Sequence, residues 1–278
     1  MIRRAIAVVL AALAVAPAAT AQTPGRLRWQ VGQVLTYRVE HTTQDNEVTP
    51  DAAVERKTHL NLVKSWQVVE VDRDGVATVR LWLRSLVWET TKPGGDVLRF
   101  DSTDPDKSTP EMRNSFAKYF KEPLAVLRID PLGRVVQVKE SRYGPASRFE
   151  IELPFAAVLP EGGLGAGKAW ERAFQITLEP PQGTGEKYAA VQRYACKNVA
   201  DNLATVSLTT ALKTPPEAAA DLMPLLDKMP EGEVVFDQAS GRMVKATLHI
   251  EKELKGHMGE KSTYKLQSNY VEQYVGDR

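Results

Sequence analysis

Cysteine is nearly absent: Cys196 is the only one among 278 residues, so no disulfide can form within the chain and the fold must be held by its core. Histidine is also scarce. His41, His59, His249 and His257 are scattered, with none of the i, i+4 or Cys-paired spacing of a metal site. Charge of either sign is hardly in excess, at 36 Lys and Arg against 35 Asp and Glu. The balance stays near neutral when Arg3 and Arg4 go with the leader described below, which gives no general electrostatic reason to bind nucleic acid or an anionic membrane. After Ala21 no apolar run reaches the length of a membrane span, so no transmembrane segment is expected in the processed chain.

Catalytic signatures are missing too. There is no G-x-S-x-G elbow and no serine-lysine motif in a suitable setting. Gly162 to Ala169, GGLGAGKA, fits the outline of a phosphate-binding loop, but Ala169 stands where Ser or Thr should hold magnesium, and the next segment alternates like a strand. The clusters Asp101, Asp104, Asp106 and Asp72, Asp74 lack the glycine and distal glutamate of a calcium loop and are read as turn aspartates. Cys196 alternates with Tyr194 on an expected strand and reads as a structural thiol. No cofactor, no metal and no catalytic residue is therefore expected. A hydrolase whose groups meet only in space, with His41 and His59 as candidates, is a minor alternative.

What the chain does have begins with Arg3 and Arg4, an apolar run and the small-residue pattern Ala19-Thr20-Ala21. This is a secretory signal peptide with cleavage expected near Ala21, placing the protein in the periplasm or outside the cell. Most of the remainder alternates apolar and polar residues in the manner of half-buried strands. Leu35, Tyr37, Val39 and His41 share one face, and Trp170, Phe174, Ile176 and Leu178 share another. Asp72 to Gly75 should turn a hairpin, with a bulge at Val68-Val69. The polar segment Thr43 to Lys57 reads as a loop.

Two series run in the same order. Each has a glycine, a strand, two strands around a polar turn, a capped Pro-Glu helix, a strand ending in Asp, a Gly-Arg turn and a strand. The first repeat covers 22–141 with a helix over 108–122, capped by Ser108 with Glu111. The second covers 167–278 with a helix over 215–229, capped by Thr214 with Glu217. A Pro- and Gly-rich connector, 142–166, joins them. The fold class is thus mainly β: an antiparallel, internally duplicated curved sheet, or two half-barrel-like sheets, with two accessory helices. Phe116, Tyr119 and Phe120 on the first helix, and Leu222, Leu225, Leu226 and Met229 on the second, form apolar faces that pack on the sheets or line a groove for an apolar ligand.

The pattern of strand, Asp, Gly-Arg and strand behind a signal peptide resembles exported bacterial proteins whose function is not established. At the level of fold alone, an exported β protein with helical lids is similar to the half-barrel lipoprotein carriers of the bacterial periplasm. The export signal, the duplicated β pattern and the missing catalytic constellation together point to a non-catalytic envelope protein that binds an apolar or amphiphilic ligand such as a lipid, or a partner protein. A structural module acting through its sheet edges is the alternative.

Overall fold

Alternating stretches free of proline favour long strands, and the computed structural model has twelve among the residues it describes. It describes residues 25–150, 152 and 156–277; the signal peptide expected over 1–21 lies outside them. The strands are β1 (Val34–Val48), β2 (Ala53–Val71), β3 (Ala77–Thr91), β4 (Val97–Asp101), β5 (Ala125–Ile129), β6 (Val135–Ser141), β7 (Ala169–Leu178), β8 (Glu186–Ala200), β9 (Leu203–Leu212), β10 (Glu231–Asp237), β11 (Arg242–Lys255) and β12 (Thr263–Asp277). All pair antiparallel in one curved, unclosed sheet of order β6-β5-β3-β2-β1-β12-β11-β10-β9-β8-β7, with β4 pairing the far end of β3. Among the described residues no helix is long and apolar enough to cross a membrane.

The order of pairing is the same on either side of the β1–β12 ladder. In the first half β1, β2, β3, β5 and β6 follow one another across the sheet; in the second, β7 to β11 do. A short helical segment precedes the fourth strand of each series. The first is α1 (Pro110–Phe116), continued by a 3-10 turn over Ala117–Phe120. The second is α2 (Ala219–Leu222), continued by a 3-10 turn over Met223–Lys228.

Turn chemistry behaves as read. Asp72 accepts from the amides of Asp74 and Val76 at 3.0 and 2.9 Å, and the β2–β3 register slips between Val68 and Glu70, so Val69 is the bulged residue. The helix starts differ. Thr109, not Ser108, precedes α1, with no side-chain cap; Ser108 Oγ is bonded instead to the amide and carbonyl of Asp101. Thr214 to Glu217 is not helical, and α2 begins at Ala219. Pro216 disfavours the helical conformation at Pro215, so a helix cannot start there. Pro224, which has no N–H to donate, sits at the first turn of the tighter 3-10 segment.

Thr43 to Lys57, read as a loop, is mostly strand: β1 runs to Val48 and β2 resumes at Ala53. This end of the sheet projects past the core, so both faces carry polar residues, while β12 and β2 satisfy the backbone of β1 on both sides. Alternation of hydropathy therefore fails to mark it.

The core lies on the concave face, where Tyr37, Trp66, Val79 and Leu127 of the first half meet Tyr194, Val206, Leu208 and Met243 of the second. The connector belongs to that core. Phe149, Ala156, Val158 and Leu159 are buried, and side chains satisfy backbone carbonyls that have no strand partner: Trp170 Nε1 donates to Val158 O at 2.7 Å and Arg172 Nη1 to Ala156 O at 3.2 Å. On the first half, the Leu159 amide donates to Leu132 O at 2.8 Å.

Candidate functional site

Between the connector and the α2 segment the concave wall stays open in a cleft of about 320 Å³. Strand register builds its floor in two rows. One runs Tyr270, Leu248, Gly232, Leu208 across β12, β11, β10 and β9, reaching His41 on β1. The other holds Thr43, Ser268, Ile250 and Pro230 and ends near Gln192 on β8. Gly232 places no side chain between Leu248 and Leu208. Its φ of +151° is one that L side chains rarely adopt, and an added Cβ would stand 2.1 Å from Thr247 O, so only glycine fits this point of the floor. The middle of the cleft is thus apolar and its two ends are polar.

The polar ends are closely bonded. His41 Nε2 lies 2.8 Å from Ser268 Oγ and 3.2 Å from Thr43 Oγ1. Burial lowers the His41 pKa below its ordinary value, against a smaller opposing effect of the Asp227 carboxylate, so the ring is uncharged at neutral pH. At the other end Gln192, 2 % exposed, has Oε1 2.7 Å from Tyr194 Oη and 3.3 Å from Arg172 Nη1. Arg172 can only donate, which fixes the amide with its NH2 turned away from Arg172. Burial pushes the Tyr194 hydroxyl up to about 12, so it is a neutral donor.

Beside the cleft lies a charge cluster. Lys64 Nζ stands 3.0 Å from Glu152 Oε1 and 3.3 Å from Glu272 Oε1, and Tyr270 Oη donates to Glu272 Oε2. Glu272 is fully buried. Burial alone would lower the Lys64 pKa, but the two carboxylates reverse it and the amine is held above its ordinary value. Burial raises the Glu272 carboxyl, an effect that Lys64 and Tyr270 only partly offset. Burial would also raise Glu152, but Lys64 and Arg148 bring it below the usual carboxylate range.

The apolar helix residues singled out from the sequence go to two places. Phe116 stacks on Phe100 with centroids 5.0 Å apart and touches Trp88; Phe120 packs on Phe100, and Tyr119 meets Tyr143 edge-on at 4.7 Å. This group covers the β3–β4 hairpin. Leu225 is buried against Phe174 and Ile176 of the second half, and Leu226 against Ile250 and Leu266, with Leu222 and Met229 bordering both groups. Ile250 and Leu266 in turn line the cleft, joined there by Asp227, Lys228 and Pro230 from just beyond these leucines. The structure does not bring His41 and His59 together. His59 pairs with Thr42, one residue out of register, so the two rings leave opposite faces of the sheet.

Sequence reading passed over Lys64, Glu152, Gln192, Ser268 and Glu272. A signal for two of them was present: Lys64 interrupts the inward series Leu60, Leu62, Trp66, Val68, and Glu272 the series Leu266, Tyr270, Tyr274. A charge at an inward strand position requires a buried partner. The other three share the site only through register and the path of the connector. The loop over 162–168 uses its own lysine, with Lys168 Nζ donating to Gly163 O at 3.0 Å. Among the described residues no group of three or more His, Cys, Asp and Glu side chains is placed to hold a metal ion.

No protein-family model matches the chain, and no curated protein matches it. Among solved structures, DynF from the dynemicin biosynthesis pathway of Micromonospora chersina is 9% identical with a TM-score of 0.21, over 94% of this chain and 93% of its own. MucB of Pseudomonas aeruginosa, in complex with MucA, is 9% identical with a TM-score of 0.14, over 85% and 89%. The secretin InvG of the Salmonella SPI-1 type III secretion injectisome is 13% identical with a TM-score of 0.14, over 88% and 61%. Similarity at this level assigns no family and carries no argument about function.

Proposed function

We propose that the protein is an exported, non-catalytic envelope protein, released near Ala21, that holds a single-chain apolar or amphiphilic ligand in the concave cleft. One observation carries the reading: a 320 Å³ cleft with an apolar centre and polar ends, within the size range of small-molecule sites. Leu222, Leu226 and Met229 would act as the wall on the α2 side, and Phe116, Tyr119 and Phe120 as the cover of the first half. The common strand order of the halves supports descent of 22–141 and 167–278 from one duplicated unit.

Purification without detergent, organic extraction and mass spectrometry should recover an apolar compound, and the stripped protein should take up a fluorescent acyl reporter. Leu248→Trp, which fills the trough above Gly232, should abolish uptake in a folded protein. Recovery of no such compound together with no uptake overturns the proposal. A second reading, strand addition by a partner protein, is favoured by the free edge of β6, where Val136 is 52% exposed. Cross-linking from Val136→Cys in the envelope fraction tests it, and a partnerless product counts against it.

A further inference from the structure

The cleft has few charges left to offer a ligand. Lys64 is shared by Glu272 and Glu152, Arg148 stands 3.9 Å from Glu152, and Lys228 Nζ is 2.9 Å from Asp227 Oδ2. His41 is uncharged at neutral pH for the reason given above. Apart from Glu152, Asp227 and Lys228, each already paired, and His249, which lies 3.2 Å from Glu231, the polar groups lining the two ends are uncharged: the Ser268 and Thr43 hydroxyls grouped on His41 at one, and the Gln192 amide at the other. Gln192 is almost completely buried, and its oxygen is already occupied by Tyr194 and Arg172.

We infer that the cleft selects an amphiphile whose polar end is uncharged and hydrogen-bonding, such as the hydroxyl and ester oxygens of an acylglycerol, and discriminates against fatty-acid anions and quaternary ammonium amphiphiles. The inference rests on the cleft being a ligand site. An ionic head placed here either loses water without gaining a counter-charge or displaces one partner of an existing pair. At the buried Lys64 cluster either exchange costs more than one new hydrogen bond returns, and the half-exposed Asp227–Lys228 pair, screened by water, offers an ionic head little in compensation. An uncharged head with acceptor oxygens takes the Gln192 NH2 and the hydroxyls without disturbing any pair.

The test is calorimetric titration of the mature protein with monolauroylglycerol, dodecanoate and dodecyltrimethylammonium, each below its critical micelle concentration. Monolauroylglycerol is expected to bind at least about tenfold more tightly than either ion, a difference of about 1.4 kcal/mol. Asp227→Asn, which leaves Lys228 without its carboxylate, is expected to narrow that preference over dodecanoate a few-fold. Tighter binding of either ion by the native protein overturns the inference while leaving a ligand-binding cleft in place. Binding of none of the three overturns the cleft reading itself.

Discussion

Replacing Lys64 by methionine isolates the charge on which the concave wall depends. Lys64→Met keeps a long apolar stem but removes the cation 3.3 Å from Glu272 Oε1. Glu272 is then an uncompensated charge in a site whose burial already disfavours its ionised form, so it takes up a proton instead. In an unfolded chain a glutamate titrates near 4.3, so keeping that proton at pH 7 costs about 3.7 kcal/mol. This falls within the range of about 3–5 kcal/mol for breaking a buried pair from one side. Glu152 adds little, because its side chain is 26% exposed and Arg148 remains nearby. The pH dependence has a definite sign. A carboxyl whose folded pKa is raised contributes its stability below the unfolded pKa and loses it as pH rises towards the folded value. Lys64→Met should therefore be weakest near neutrality. It should recover about 1.4 kcal/mol per pH unit relative to the native chain down to roughly pH 4.5, wherever the native pair is still ionised. Urea unfolding at several pH values across that window, followed by tryptophan emission, measures the gap; Trp66 is buried beside the amine, its ring centroid 5.9 Å from Nζ. Lys64→Met with Glu272→Leu removes both charges and should regain most of the loss. A gap under about 1 kcal/mol at neutral pH, or one that does not change with pH, refutes the reasoning.

Two further outcomes test the floor of the cleft and its surroundings. Gly232→Ala should cost at least about 2 kcal/mol in thermal unfolding, since its φ of +151° is strained for alanine and its Cβ would meet Thr247 O; an unchanged midpoint would mean the strand relaxes freely. Cys196 is 1% exposed and burial pushes its thiol up, so a maleimide should label it only on unfolding, and rapid native labelling would show that the core beneath β8 opens.

Much of the fold was legible because alternation is local. The inward faces of β1 and β7, the hairpin around Asp72 to Gly75 and the bulge by Val68 depend on residues only a few positions apart. The ends of β1 and β2 were not legible, because a strand that runs beyond the core has no apolar face to display. The helix starts failed for a related reason: Ser108-Pro110-Glu111 has the composition of a cap, but a hydroxyl takes whichever backbone partner tertiary structure puts nearest, here Asp101. Of the site, the sequence marks His41 on the inward face of β1 and, in the neighbouring charge cluster, Lys64 and Glu272 as charges in inward series; the rest depends on register and the path of the connector.

The connector shows why composition could not reveal the rest. Because the strands nearest the chain ends, β1 and β12, pair in the middle of the sheet, its edges are β6 and β7, which are consecutive in sequence. Residues 142–168 must span the distance between those edges, and on a curved sheet the short route passes over the concave face. Where the described residues of that route cross the core, as at Phe149, Ala156, Val158 and Leu159, they are buried whatever their propensity, so their carbonyls need donors. Trp170 and Arg172 supply them from the first residues of β7. Prolines and glycines mark the segment as irregular; the topology makes it part of the core, and it is the topology that brings Glu152 to Lys64 and closes one side of the cleft.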